Sequence, residues 1–104
     1  MALILLRHGQ PEIAAGICYG RSDVPARALG EGSLRSLVTA LPDRFARIDS
    51  SPLTRCNALA EQLSAHFDLP IHADPRLMEI DFGNWEMQAW DAIPRGEIDA
   101  WAED

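Results

Sequence analysis

The chain has 104 residues, 9 basic and 16 acidic side chains, a formal charge of −7 and 47% hydrophobic content. That length sets one compact globular domain as the ceiling, and the composition excludes a disordered tail, a disulfide scaffold and a fibrous or linker protein. All nine basic residues are arginine; residues 1–73 balance seven of them against seven acids, whereas residues 74–104 set Arg76 and Arg95 against nine acids and carry the whole −7. An acidic surface repels phosphate at long range, which disfavours a nucleic-acid partner but leaves room for a local arginine pocket that binds a small anion.

Cys18 and Cys56 match neither a CxxC nor a zinc-ligand spacing, so reduced thiols in a cytoplasmic protein are expected. The apolar run at residues 2–6, Ala-Leu-Ile-Leu-Leu, is followed at once by Arg7 and His8. It is too short for a signal core or a membrane span, and its length suits a central parallel strand covered on both faces. Residues 8–26, with Gly9, Pro11, Gly16, Gly20 and Pro25, read as a long loop of the kind that carries function. Leu34, Leu37, Val38 and Leu41 recur at helical spacing and predict a helix over 31–41, which Pro42 helps to end.

Residues 45–49 read as a second strand. Ser51 and Pro52 then offer an N-cap and a proline at the first helical position. Leu53, Cys56, Ala60, Leu63 and Phe67 continue as an apolar stripe, which places Cys56 in the core. Residues 69–73 resemble a third strand, 74–85 are irregular, and short helical stretches follow near 87–92 and 95–102. The order βαβαβ predicts an α/β fold, a three-layer sandwich with at least three mainly parallel strands and right-handed crossovers.

Arg7-His8-Gly9 stands where the first strand ends, and open parallel sheets bind ligands at the carboxyl ends of their strands. After the second strand comes Ser50-Ser51-Pro52-Leu53-Thr54-Arg55, which puts Arg55 in the first turn of a helix, where free N–H groups attract anions and a cation opposes the dipole. After the third comes Arg76-Leu77-Met78-Glu79, then Asp81-Phe82-Gly83-Asn84-Trp85-Glu86. Three strand ends thus bring Arg7 with His8, Arg55 and Glu79 to one rim.

Taken together, these motifs resemble those of the histidine phosphatase superfamily, also called phosphoglycerate mutase-like, along the whole chain. The segment Cys18-Tyr19-Gly20-Arg21-Ser22-Asp23-Val24-Pro25 and the Asp81 to Glu86 stretch look most like the α-ribazole phosphatase subgroup of cobalamin biosynthesis. The resemblance implies a metal-independent phosphomonoester hydrolase with no cofactor, in which His8 is the nucleophile and forms a phosphohistidine. It implies further that Arg7 and Arg55 bind the phosphate oxygens, and that Glu79 gives a proton to the leaving alkoxide and takes one from the attacking water. Phosphoglycerate mutase-type phosphotransfer is the less favoured reaction. Tyr19, Gly20, Arg21 and Asp23 are candidates for the substrate mouth, with surface loop packing as the alternative for Tyr19, Arg21 and Asp23.

His66 and His72 read as a helix-end and a strand residue, and no metal site is expected. Glu86, Asp91, Glu97, Asp99, Glu103 and Asp104 read as a solvated helical face, and Trp85, Trp90 and Trp101 as core anchors short of partner surface. Superfamily members continue beyond this point with a further strand bearing a second histidine in a His-Gly context, which no segment here matches. The chain is therefore expected to be the N-terminal part of a single histidine phosphatase domain. That predicts an exposed apolar face or sheet edge, little or no turnover by these 104 residues alone, and a small-molecule phosphate monoester as partner. No membrane partner is expected, and a homo-oligomer would cover the exposed sheet or the Trp-rich region. The alternative function is a non-catalytic remnant acting as an anion-binding or interaction module.

Overall fold

A computed structural model describes residues 3–103. Its regular elements in chain order are α1 (Glu31–Ala40), β1 (Ile48–Ser50), α2 (Thr54–Phe67), β2 (Ile71–Ala73) and α3 (Arg95–Glu103), with single 3-10 turns at Pro75–Leu77, Gly83–Trp85 and Trp90–Ala92. The chain divides into two compact units, Met1–Glu12 with Asp23–Met78, and Ile13–Ser22 with Glu79–Asp104.

In the first unit β1 and β2 form a two-stranded parallel sheet, with Ile48 opposite Ile71, Asp49 opposite His72 and Ser50 opposite Ala73. Parallel strands need a crossover, and α2 supplies it, packing on both. Leu59, Ala60 and Leu63 make the buried face of α2, and Leu53 is buried just before it. The helix ends at Asp68, whose left-handed backbone (φ 55°, ψ 51°) lets its N–H reach the Ser64 carbonyl, a conformation that aspartate tolerates better than most residues. Ser64 also takes the Leu69 N–H on its carbonyl and donates its hydroxyl to the Leu69 carbonyl. Leu69 is thus used in leaving the helix, and the strand expected from 69 starts at Ile71. Phe45 packs edge-on against Phe67, ring centroids 5.0 Å apart, and the strand expected from 45 starts at Ile48.

The expected first strand is absent from the described residues, and Ala2 lies outside them. Leu3 and Leu5 are 86% and 85% exposed, Ile4 and Leu6 37% and 41%. Such alternation is that of an extended chain, yet neither β1 nor β2 pairs with it. Ile4, Leu5 and Leu6 instead line a largely apolar cleft of about 350 Å³ together with Phe45, Ile48 and Leu59. A continuous apolar run states a demand for cover on both faces; it does not say that the cover lies in the same segment of chain. The fold is α/β with a parallel sheet, but the sheet described has two strands where three were expected.

In the second unit the segment 16–18 runs beside 87–90: the Cys18 N–H donates to Gln88, Met87 donates to Cys18, and Trp90 donates to Gly16. Met87 has a positive φ of 66°, which interrupts the helix expected over 87–92 and leaves only the turn Trp90–Ala92. Phe82 sits among Trp85, Trp90 and Trp101 at centroid distances of 6.5, 5.7 and 5.8 Å. The tryptophans do form one anchor for α3, and Trp101 remains 49% exposed.

Because α2 packs on both strands of the sheet, its buried face should contribute strongly to the stability of the first unit. Leu63→Ala is expected to cost about 2 to 4 kcal/mol, measured by urea unfolding.

Candidate active site

Arg7, His8, Asp23 and Arg55 belong to the first unit, and Tyr19, Gly20, Arg21 and Glu79 to the second. His8 is half-buried, and its Nδ1 lies 2.7 Å from the Gly9 carbonyl oxygen. A carbonyl only accepts, so this bond requires the proton on Nδ1, and a neutral ring that makes it keeps its lone pair on Nε2. Gly9 is required by close approach: a Cβ there would stand 2.6 Å from the Arg27 carbonyl oxygen. Just beyond it, Pro11 bridges Ala26, the Glu12 N–H donates to Pro25 (2.7 Å) and the Arg27 N–H donates to Gln10 (3.0 Å). The exit from His8 is thereby pinned to residues 25–27.

At the carboxyl end of β1, Ser50 and Ser51 are buried, and the Ser51 hydroxyl accepts the Leu53 N–H at 3.2 Å. Ser51 therefore closes a turn instead of capping the helix, and α2 begins at Thr54, two residues later than Pro52 suggests. Arg55 lies in that first turn and is only 1% exposed. His8, Ser50, Ser51 and Cys56 line the same cleft; Cys56 is half-buried there. Arg7 is exposed.

Asp23 accepts from both donors of Thr54, its Oδ1 from the N–H (2.7 Å) and its Oδ2 from the hydroxyl (2.8 Å). The Thr54 N–H, then its hydroxyl, then the Arg55 charge hold the Asp23 carboxyl below the usual range against the opposing effect of desolvation. In the second unit Gly20 has no room for a side chain, since a Cβ would fall 1.9 Å from the Ile80 carbonyl oxygen. The Arg21 Nε–H points at the Glu79 carbonyl oxygen at 3.4 Å, a long contact that sets Arg21 beside the exposed Glu79.

Glu86 corrects the expectation of a solvated helical face. Its carboxylate accepts the Gly20 N–H (2.9 Å to Oε2), the Ser22 N–H (2.7 Å) and the Ser22 hydroxyl (2.9 Å). Partial burial pushes its pKa up, but these bonds and the Phe82 N–H outweigh it and the net direction is down. The sequence carries a signal for this: a glycine-containing turn rich in free N–H groups calls for an anion, and a carboxylate beside a tryptophan at a turn is placed to supply it. Cys18, fully buried beneath that loop, has its thiol pushed up by burial and then by the Glu86 charge, so it stays protonated and inert. His66 stands in the last turn of α2 and His72 lies in β2, in the elements expected for them. Of the other acids expected on a solvated face, Asp91, Glu97, Asp99 and Glu103 are exposed, and Asp104 lies outside the described residues. Among the described residues no cluster of three or more His, Cys, Asp or Glu could hold a metal ion, and no helix is long and apolar enough to cross a membrane.

The first unit thus sets a buried arginine just after β1 and a half-buried histidine in the lining of the adjoining cleft. The family model of the histidine phosphatase superfamily (branch 1) matches residues 3–104, and the chain belongs to that superfamily. It is 37% identical over 90 residues to an adenosylcobalamin/α-ribazole phosphatase of Salmonella typhimurium, covering 85% of this chain and 45% of that protein. Among solved structures, it superimposes on an Escherichia coli candidate α-ribazole-5′-P phosphatase with a TM-score of 0.78 at 28% identity, covering 95% of this chain and 52% of the other. A mycobacterial glucosyl-3-phosphoglycerate phosphatase gives 0.74 at 28% identity, covering 93% and 48%. The fold is accordingly that of the phosphoglycerate mutase-like histidine phosphatases. The chain spans about half the length of the relatives it matches.

Because the Glu86 pKa is lower folded than unfolded, its contribution is complete above its unfolded value, near 4.5, and is lost as pH falls through its folded value. Glu86→Gln is expected to cost about 1 to 2 kcal/mol at neutral pH and to flatten that acid limb. Thermal unfolding followed by circular dichroism between pH 3 and 7 measures both on a pH scale set around carboxylate titration.

Proposed function

We propose that the protein is a phosphomonoester hydrolase that works through a phosphohistidine on His8, without a metal. The hydrogen bond from His8 Nδ1 to Gly9 carries this reading, because it leaves Nε2 with the lone pair that attacks phosphorus. In the first step the Nε2–P bond forms and the P–O ester bond breaks, while Glu79 gives its proton to the departing alkoxide. In the second, water attacks the phosphohistidine, Glu79 takes the water proton, and the P–N bond breaks to return neutral His8. A carboxylate near a phosphate dianion is pushed toward its protonated form, which suits the first of these roles.

Arg7 and Arg55 are the proposed cations on the transferring oxygens, whose planar, permanently charged forks match phosphate bidentately. Burial of Arg55 supports its part, since a guanidinium kept from water loses little entropy on binding. Tyr19, Gly20, Arg21 and Asp23 are proposed to shape the substrate side, by contact or by holding those that make it. An α-ribazole phosphate-like substrate, and with it a place in cobalamin biosynthesis, is the substrate reading that the 37% identical relative supports. For the 104 residues by themselves we propose weak turnover, because Arg7 stands in water and the apolar run beside it is uncovered, so its charge contacts are screened. A cytoplasmic location belongs to the same proposal.

The test is turnover of an aryl phosphate and of α-ribazole phosphate, with and without EDTA, joined to trapping of the phosphoenzyme. His8→Ala should abolish the trapped species, and Glu79→Gln should slow the chemical step while phosphate still binds. Arg55→Ala should cost on the order of 2 to 4 kcal/mol of transition-state stabilisation, by analogy with loss of an oxyanion-hole donor. Unchanged turnover in His8→Ala would sink the phosphohistidine mechanism.

A further inference from the structure

We propose that Asp23 is a positioning residue for Arg55: from a loop 31 residues earlier in the chain it caps the first turn of α2 and holds that turn to the segment that follows His8. The proposal rests on the phosphatase reading only for what Arg55 binds. Helix α2 has no cap of its own, since its N-cap residue is Leu53, which makes no side-chain cap hydrogen bond. The nearby Ser51 hydroxyl is turned toward the Leu53 N–H. The Thr54 N–H goes to Asp23, and the Thr54 hydroxyl goes to the other oxygen of the same carboxylate. Two bonds from one residue to two oxygens fix an orientation as well as a distance.

Charge calls for the same partner. Arg55 puts a full positive charge where the helix dipole is already positive, and at 1% exposure water relieves little of the conflict. A carboxylate at Thr54 offsets both. Its own loop is firmly placed: Val24 is buried, and Pro25, Ala26 and Arg27 are bonded to Glu12, Pro11 and Gln10. A continuous set of contacts therefore runs from His8-Gly9 through residues 10–12 and 25–27 to Asp23, and from there to Thr54 and Arg55. An Asp23 whose two oxygens already serve Thr54 is poorly suited to bind substrate, and its charge would repel a phosphate ester.

The experiment is NMR on the protein with Asp23→Ala, Asp23→Asn and Thr54→Val, reading amide exchange at Thr54 and the Arg55 Nε–H resonance, followed by titration with inorganic phosphate. Asp23→Ala should speed Thr54 exchange about tenfold, the scale of a lost cap, and shift the Arg55 signal. Asp23→Asn should restore most of the Thr54 protection, because its amide oxygen accepts from the Thr54 N–H and its NH2 can donate to the Thr54 hydroxyl oxygen, and should restore the Arg55 signal in part, because the charge is gone. Should Asp23→Ala unfold, Thr54→Val, which removes only the hydroxyl donor, should give the same changes at smaller amplitude. An unshifted Arg55 signal in whichever of these variants folds overturns the proposal, and so does an Asp23→Asn that behaves like Asp23→Ala. Phosphate affinity lowered in step with the Arg55 shift supports it. Failure of the unaltered protein to bind phosphate overturns the phosphate role of Arg55, while the NMR signals still decide the role of Asp23.

Discussion

A cation in the first turn of a helix is the constraint around which the first unit is organised. Arg55 there opposes the α2 dipole, and it is buried to 1% exposure, so its place has to be held by neighbours. Those neighbours account for much of the local sequence. Ser50 and Ser51 shape the turn out of β1, Leu53 is buried beneath the helix start, and Thr54 presents two donors to Asp23. At the far end of the same helix, Asp68 and Ser64 return the chain to β2. Gln62, midway, accepts the Leu29 N–H and donates to the Leu29 carbonyl, tying the approach to α1 onto α2.

Carboxylates do in this chain what ladder hydrogen bonds do in a larger sheet. Asp23 fastens a loop to α2, Glu86 gathers the N–H groups of Gly20 and Ser22, Asp74 caps the turn at Pro75–Leu77 through the Arg76 N–H, and Asp81 takes the Gly83 N–H. Each replaces water at a backbone donor with a charged acceptor, which is stronger than a neutral one. With two short strands among the described residues, such bonds supply much of the order in the long loops.

How far the sequence revealed this depends on the range of the interaction. Helix α1 and the body of α2 were readable because their apolar spacing is local and periodic, and the β1–α2–β2 crossover followed from element order. Element ends are less readable: Ser51-Pro52 reads as a helix start, yet α2 begins at Thr54, whose N–H is taken by Asp23 from a distant loop. Residues 3–6 show the limit most clearly, since their apolarity is plain in the sequence while the surface that would cover them is not. Glu86 differs from its expected place because the spacing of acids along 86–104 says nothing of a loop 64 residues away, and only the composition of that loop hints at the contact. The motif residues Arg7, His8, Arg55 and Glu79 stood out through their type and order, which is a chemical signal and survives errors in element boundaries.

The net charge of −7 looks ill-suited to a phosphate ligand, and the resolution lies in where the acids point. Counting charge treats every carboxylate as free to repel an anion. Asp23 is spent on Thr54 beside Arg55, and Asp74 forms a 2.7 Å pair with Arg76. Glu86 is taken up by the Gly20 N–H, the Ser22 N–H and the Ser22 hydroxyl. A carboxylate that already faces donors has much of its field cancelled at short range, and the Debye length removes most of the rest from exposed acids farther off. At the proposed site, a phosphate would then meet Arg55 and the α2 N-terminus with the charge of Asp23 already engaged. An acidic composition is therefore compatible with the proposed anion pocket, because a carboxylate such as Asp23 beside Arg55 is engaged in holding a loop.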